Sequence, residues 1–385
     1  MGGSSVSLAG RQAPEGVRHG ESEIDEMSST SASPLEATLQ VVPQGRVDAT
    51  DVRAQAAETF DHAFEKYARC LYCSLHTTAG YLPQSLASRL QAGGRGVGSY
   101  IDLFRAVFPE GAGYHHDDLG RRDELTADEK AIEPLNADSH LAFIGGGLHA
   151  CVSYRTARPG PVYFIDLDGS NAGTPRRRIT TLVGYNDEIE VAHITLHVPV
   201  SAHPIDAVNL KQPGLGLYDE VAELVARHDV TKGRVRMALA SGEQSASLTV
   251  NEYETLLLRH DLAEVLKNPV RFAMQKARHM WDDPGAVPFK AIEYAKYDVV
   301  RAVNRFVDAM GLGESRIERI LGLAMAVPAA RFLRSRRAVD LLVSDSQTPG
   351  RGHIVEGKYQ APLMIQWRQA NQGTRLVDVK LTRFV

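Results

Sequence analysis

Five short stretches of this 385-residue chain carry side chains able to do chemistry. In "RCLYCSLHTT", His76 closes an apolar run and is followed by Thr77 and Thr78; "YHHDD" brings His116 beside Asp117 and Asp118. "NADSHL" holds Asn136, Asp138 and His140, "RRR" is Arg176 to Arg178, and "LTVNE" ends on Asn251 and Glu252. Imidazole nitrogens with carboxylate oxygens suit zinc or another divalent ion. A histidine with a shifted pKa can serve as general acid or base near neutral pH. Arg176 and Arg178, two apart on a strand, share a face and could hold a phosphate through charge-assisted bonds.

Each group also has a plainer reading. The spacing matches no stand-alone metal motif. The run "YHHDDLGRRDELTADEK" reads equally as a solvated charged loop, His76 as a core histidine bonded to a backbone carbonyl, and the arginines as charges guarding an edge strand. Cys70 and Cys73 form a C-x-x-C, but on a strand their sulfurs point to opposite faces, so they read as two buried small residues rather than a redox or zinc pair. His193 and His197, on one face of a strand, lie about 13 Å apart by strand rise, too far for one metal ion, and read as exposed. The basic run "RFLRSRR" at 331–337 reads as a phosphate or nucleic-acid contact or as the solvated side of a helix.

The elements that must position these residues fall into two series. The first reads as a strand at 35–43, a helix at 48–67, a strand through "RCLYCSLHTT", a helix around 98–108, a polar loop at 114–123, a short helix at 136–144, and strands at 148–155, 161–169 and 176–186. The second reads as a strand at 188–200, a helix at 217–230, a strand at 233–243, a helix at 250–266, further helices filling 269–335, and four closing strands from "AVDLLVS" to "TRLVDVKLTRF". Laying His76 on Glu243 aligns Thr78-Ala79 with Ser245-Ala246 and Gln84-Ser85 with Asn251-Glu252, an internal repeat with a period of about 150 residues.

Bulk composition sets the frame. A net charge of −4 gives no global drive toward nucleic acid or anionic lipid. The longest apolar runs fall well short of the roughly 20 residues of a membrane span. Residues 1–34 lack the basic and apolar segments of a secretory signal and read as a disordered tail. Three cysteines make no disulfide framework and suggest a reducing, cytoplasmic setting.

These motifs resemble the YjbQ-like family, the secondary thiamine-phosphate synthase family. "HTTA", "YHHDD", "NADSHL" and "FIDLDGSNAGTPRRR" in the first half, and "SASLTVNE" in the second, look like its signature segments. Each half keeps a different part. The first has His76 but Gln84-Ser85 where the family has Asn-Glu; the second has Asn251-Glu252 but Glu243 where the family has His.

The resemblance implies an α+β fold of two tandem β-rich domains, with antiparallel sheets flanked by helices, at 35–187 and 188–385. The second would carry a helical insertion at about 269–335. It implies catalytic roles for His76, His116, Asp118, Asn136, His140 and Glu252. Substrate contacts would come from Thr77, Thr78, Arg176, Arg178 and Asn251, and a divalent ion, zinc or magnesium, would sit on His76, His116 and His140. The expected activity is that of a transferase of thiamine-phosphate-synthase type, or metal-assisted chemistry on a phosphorylated small molecule, in a homo-oligomer. The alternative is a degenerate ligand-binding or regulatory scaffold protein without catalysis.

Overall fold

The fold was obtained as a computed structural model that describes residues 32–94, 96–171, 173–267 and 336–385. The expected helical insertion and most of the expected N-terminal tail lie outside these residues.

Local chemistry sets each element of the first half. Strand β1 (Leu35–Val41) leads to β2 (Asp48–Asp51). Asp51 then caps helix α1 (Val52–Thr59), its carboxylate accepting the N–H groups of Arg53 and Ala54. The helix expected over 48–67 is therefore shorter at both ends: β2 occupies its start, and Asp61 and His62 take left-handed backbone angles that stop it. Strand β3 (Arg69–Ser74) and the short β4 (Ala79–Gly80) flank the His76 turn. Helices α2 (Gln84–Ala92), α3 (Gly96–Val107), α4 (Ala127–Ile132) and α5 (Ala137–Gly145) follow. Of these, α2 and α4 were not expected, although Thr126 and Glu129 make a reciprocal capping box at the start of α4. Strands β5 (Cys151–Arg155), β6 (Tyr163–Asp166), the small pair β7 (Ser170–Asn171) and β8 (Thr174–Pro175), and β9 (Arg178–Tyr185) complete this half.

The second half contains β10 (Glu188–Pro199), β11 (Asp206–Asn209), α6 (Leu217–Arg227), β12 (Gly233–Leu239) and β13 (Ala246–Asn251). A π-helical turn at Leu257–Asp261 then runs into α7 (Leu262–Lys267). The helix expected at 250–266 begins later because Thr249, Val250 and Asn251 continue β13. Strands β14 (Ala338–Ser344), β15 (His353–Val355), β16 (Ala361–Gln366) and β17 (Thr374–Phe384) close the chain.

The strand orders repeat. The first half forms a four-stranded sheet β1-β9-β3-β5 and a three-stranded sheet β2-β6-β4; the second forms β10-β17-β12-β14-β15 and β11-β16-β13, all antiparallel. Register repeats as well. Asp48 and Ala79 both stand opposite Asp166, as Asp206 and Ala246 both stand opposite Gln366. The α+β class with antiparallel sheets is thus as the resemblance implied.

The two halves share buried surface. Cys70 and Tyr72 face the first-half core, while Leu71 and Cys73 face the other way, packing with Val183, Tyr185, Leu342 and Phe384. The rings of Tyr185 and Phe384 stack there at 4.0 Å. The first core also takes in Leu257, Leu262, Leu363 and Ile365 of the second half. Each such side chain removed from water contributes about 1.5–3 kcal/mol. The junction is therefore a core in its own right, and polar groups caught in it must find partners.

Candidate functional site

The turn after β3 is held from both halves. The hydroxyl of Ser74 donates to the Ala79 carbonyl at 2.7 Å. From the second half, Gln360 Nε2 donates to the carbonyls of Ser74 and His76, each at 3.0 Å, and Asn251 Nδ2 donates to the Thr77 carbonyl at 2.9 Å. The His76 ring accepts the backbone N–H of Ile179 on Nε2 at 2.9 Å, so in the neutral ring the proton sits on Nδ1. Burial, with the charges of Arg178 and Arg176, lowers its pKa to about 4. His76 is a neutral latch at pH 7, bonded to a backbone donor rather than to the carbonyl expected of a core histidine.

Two arginines lie beyond this turn, and their situations differ. Arg178 is buried and engaged: Nε and Nη2 donate to the two oxygens of Asp166 at 2.6 and 3.0 Å, and Nη2 also reaches Thr78 Oγ1 at 3.5 Å. Arg176 is not. Its Nη2 lies 3.1 Å from Asp168 Oδ2, yet neither Nη2 nor Nε makes a hydrogen bond among the described residues, because the pair is close without being aligned. Asp168 Oδ2 instead accepts from Asn136 Nδ2 at 2.8 Å.

Asn136 opens α5, and its carbonyl accepts the His140 N–H, which places His140 one turn further along the same face. The His140 ring is buried and meets the end of β13: Nδ1 lies 2.8 Å from Asn251 Oδ1, and Nε2 lies 3.8 Å from Glu252 Oε2. The Asn251 amide fixes the proton. Its Nδ2 is spent on Thr77 and its Oδ1 also accepts the Glu252 N–H at 2.8 Å, so Oδ1 is an acceptor and His140 Nδ1 is the donor. That leaves the Nε2 lone pair facing a carboxylate. Burial, only partly offset by Glu252, lowers the His140 pKa and keeps the ring neutral. Two acceptors converge with no hydrogen between them, a geometry that suits a ligand N–H or O–H.

His116 stands beside this pair, its ring centre 5.4 Å from that of His140. Its carboxylate partner is Asp117, whose Oδ1 lies 3.0 Å from His116 Nδ1 and also accepts the Ala137 N–H; Asp118, exposed, does not take that place. Burial lowers the His116 pKa, but the Asp117 bond and charge outweigh it and the net shift is upward. Asp138 turns away to a two-point pair with Arg46, both contacts at 2.8 Å. His76, His116 and His140 do not assemble into a ligand triad, and among the described residues no three His, Cys, Asp or Glu side chains could hold a metal ion. His193 and His197 are exposed, as expected.

Several participants were not singled out from sequence. Asp168 alternates with Asp166 in "FIDLD", a period-2 signal that could have marked it. Arg46 and Gln360 act across large chain separations, for which a single sequence carries no signal.

The second half rebuilds the Arg178 cradle with the charges exchanged. Arg375 Nε donates to Gln366 Oε1 at 3.0 Å, where the first half has Asp166. Its Nη1 lies 2.7 Å from Glu243 Oε2, and Glu243 Oε1 accepts the Leu376 N–H at 2.8 Å, as His76 accepts that of Ile179. Each buried arginine keeps one carboxylate, on the strand in one half and in the turn in the other. The second turn is two residues longer, seven positions from Leu239 to Ala246 against five from Ser74 to Ala79. It borders an open depression of about 530 Å³ that includes His197, Gln244 and Arg368.

No family model matches this sequence, and no curated protein matches it. Solved structures do. A YbjQ-like protein of unknown function from Sulfolobus solfataricus P2 is 14% identical, matched over 51% of this chain and 99% of its own, with a TM-score of 0.28. A hypothetical protein from Aeropyrum pernix K1 is 12% identical over 49% and 96%, with a TM-score of 0.26. An uncharacterized YjbQ/UPF0047 family protein from Clostridium acetobutylicum is 12% identical over 49% and 98%, with a TM-score of 0.25.

Proposed function

We propose that the junction of the two halves is a composite site for a phosphorylated small molecule, with His140 and Glu252 as the groups that accept a proton from it. The observation that carries this reading is the His140 ring: buried, neutral, its tautomer fixed by Asn251, and its free lone pair aimed at the Glu252 carboxylate 3.8 Å away. Arg176 supplies the anion-binding part. The Arg176 guanidinium is partly exposed, its Nε and Nη2 make no hydrogen bond among the described residues, and it is a charged group suited to a phosphate oxygen; Asp168 and Asn136 link it to the face of α5 that carries His140.

The activity we favour is group transfer. In the reaction implied by the resemblance, the bond from a hydroxymethylpyrimidine carbon to pyrophosphate breaks as a thiazole nitrogen bonds to that carbon, and pyrophosphate leaves with the electron pair; that nitrogen brings no proton, so His140 and Glu252 would act there on an N–H or O–H elsewhere on the bound molecule. Arg176 would stabilise that leaving group. The ligand triad needed for a metal is not formed by the residues described, so no step is assigned to one.

Titrating the full chain with inorganic pyrophosphate and following its melting temperature tests the reading, because a ligand that binds only the native state raises Tm. The expected result is a concentration-dependent rise that is lost in His140→Ala and Arg176→Gln. The same melting curve with and without pyrophosphate, or an unchanged response in both variants, overturns it. A second reading, ligand binding without turnover, is supported by the engagement of His76 with Ile179 and of Arg178 with Asp166, which leaves both committed to structure.

A further inference from the structure

Among the described residues, Arg336 is the bulkiest side chain that is fully buried. It stands just before β14, in the basic run that read from sequence as a phosphate contact or solvated helix face, and it does neither. Residues 331–335 of that run lie outside the described residues. Among the described residues no carboxylate pairs with Arg336. Its Nη1 donates to Thr249 Oγ1 at 2.6 Å, its Nη2 donates to the Phe143 carbonyl, and the guanidinium lies over the Phe143 ring, 5.4 Å from the centroid. Its own carbonyl accepts the Leu248 N–H at 3.0 Å. Desolvating a guanidinium is costly, so the groups that receive its hydrogen bonds matter, and the two that do so among the described residues are both neutral acceptors.

Those acceptors belong to the two elements that make the site. Phe143 is three residues after His140, on the same side of α5. Thr249 is two residues before Asn251, on the same side of β13. Helix and strand are thus joined by two successive rungs: His140 to Asn251 directly, and Phe143 to Thr249 through Arg336. We infer that Arg336 is a positioning residue, a spacer that sets the separation of α5 and β13 and so holds the His140 ring against Asn251 and Glu252. Its importance for activity rests on the reading of that constellation as a functional site, but the positioning itself does not.

The test is a spectroscopic signature at fixed pH. In the full chain carrying 15N-labelled histidine and asparagine, at pH 8, His140 is expected to show the Nδ1–H tautomer with a slowly exchanging proton, assigned by its loss in His140→Gln. The Asn251 side-chain amide should also exchange slowly. In Arg336→Met the Nδ1–H signal should give way to the mixed tautomers of a free ring, and Asn251 amide exchange should speed up at least tenfold. Arg336→Lys should restore part of both. Thr249→Val, which removes the far anchor and keeps the volume, should reproduce the Met result and serves if Arg336→Met does not fold. A folded Arg336→Met or Thr249→Val protein with the wild-type His140 tautomer and Asn251 exchange overturns the inference. Failure of the pyrophosphate titration with this signature intact would instead remove the proposed function and leave the positioning role standing.

Discussion

His140 and Glu252 come from different halves of the chain and meet with the imidazole Nε2 3.8 Å from a carboxylate oxygen. The carboxylate is partly exposed, so the pair contributes little to stability, well under about 1 kcal/mol. Glu252→Gln should therefore leave the urea midpoint almost unmoved. It should abolish proton-transfer chemistry, seen as loss of turnover. A variant that keeps full turnover shows that Glu252 is a bystander.

The Arg176 side chain makes no hydrogen bond from Nε or Nη2 among the described residues, but it stands 3.1 Å from the buried Asp168 carboxylate as its counter-charge. Arg176→Gln should therefore cost about 1–3 kcal/mol, less than the loss from a fully buried pair. If its donors receive phosphate, the same substitution should weaken pyrophosphate binding roughly ten- to a hundredfold, the worth of one or two charge-assisted bonds. Calorimetric titration of both proteins in matched salt measures this. Equal affinities would place the anion elsewhere.

The half-buried, neutral His76 makes stability depend on pH in a defined direction. Its folded pKa, about 4, is below the ordinary value of 6.5. The unfolded chain therefore takes up the proton first as the solution is acidified, and the stability that His76 contributes above pH 6.5 is lost as pH falls toward 4. The shift is worth on the order of 3 kcal/mol. His76→Gln keeps an acceptor for the Ile179 N–H without the titration, so its Tm should fall less steeply between pH 6.5 and 4 than that of the wild type. Parallel Tm-against-pH curves would show that His76 is not the responsible group.

Arg178 and Arg375 each keep one carboxylate, placed differently. Asp166→Gln alone strips Arg178 of its counter-charge inside the protein and should cost about 3–5 kcal/mol. Adding His76→Glu copies the arrangement of the second half and should recover a large part of that loss, with a coupling of at least about 1.5 kcal/mol in a double-mutant cycle. Urea unfolding of the four proteins decides it. A double variant no more stable than Asp166→Gln shows that the shorter first turn cannot bring a glutamate to the arginine.

Much of the fold is visible in the chain because strands announce themselves by period. Ala79 and Ala246 stand in register opposite Asp166 and Gln366, and His76 and Glu243 accept the N–H groups of Ile179 and Leu376. Helices were read less well where local chemistry overrode pattern. Asp51 ends β2 and starts α1 within one residue, and β13 runs through Asn251 because β16 lies beside it. The site was legible as a set of residue types. His140, Asn136, Asn251 and Glu252 are brought together, whereas the triad of His76, His116 and His140 is not formed and Asp118 yields its place to Asp117. What one sequence lacks is the pairing of distant positions: Gln360 with the His76 turn, Arg46 with Asp138, Arg336 with Thr249.

The amide of Asn251 has a consequence for the order of events in time. Because Nδ2 is committed to Thr77 and Oδ1 to the Glu252 N–H, the side chain cannot turn over, and the His140 proton is kept on the side away from any bound molecule. On the reading proposed above, the resting ring can take a proton at Nε2 but has none to give there, so any donation from Nε2 depends on a preceding uptake.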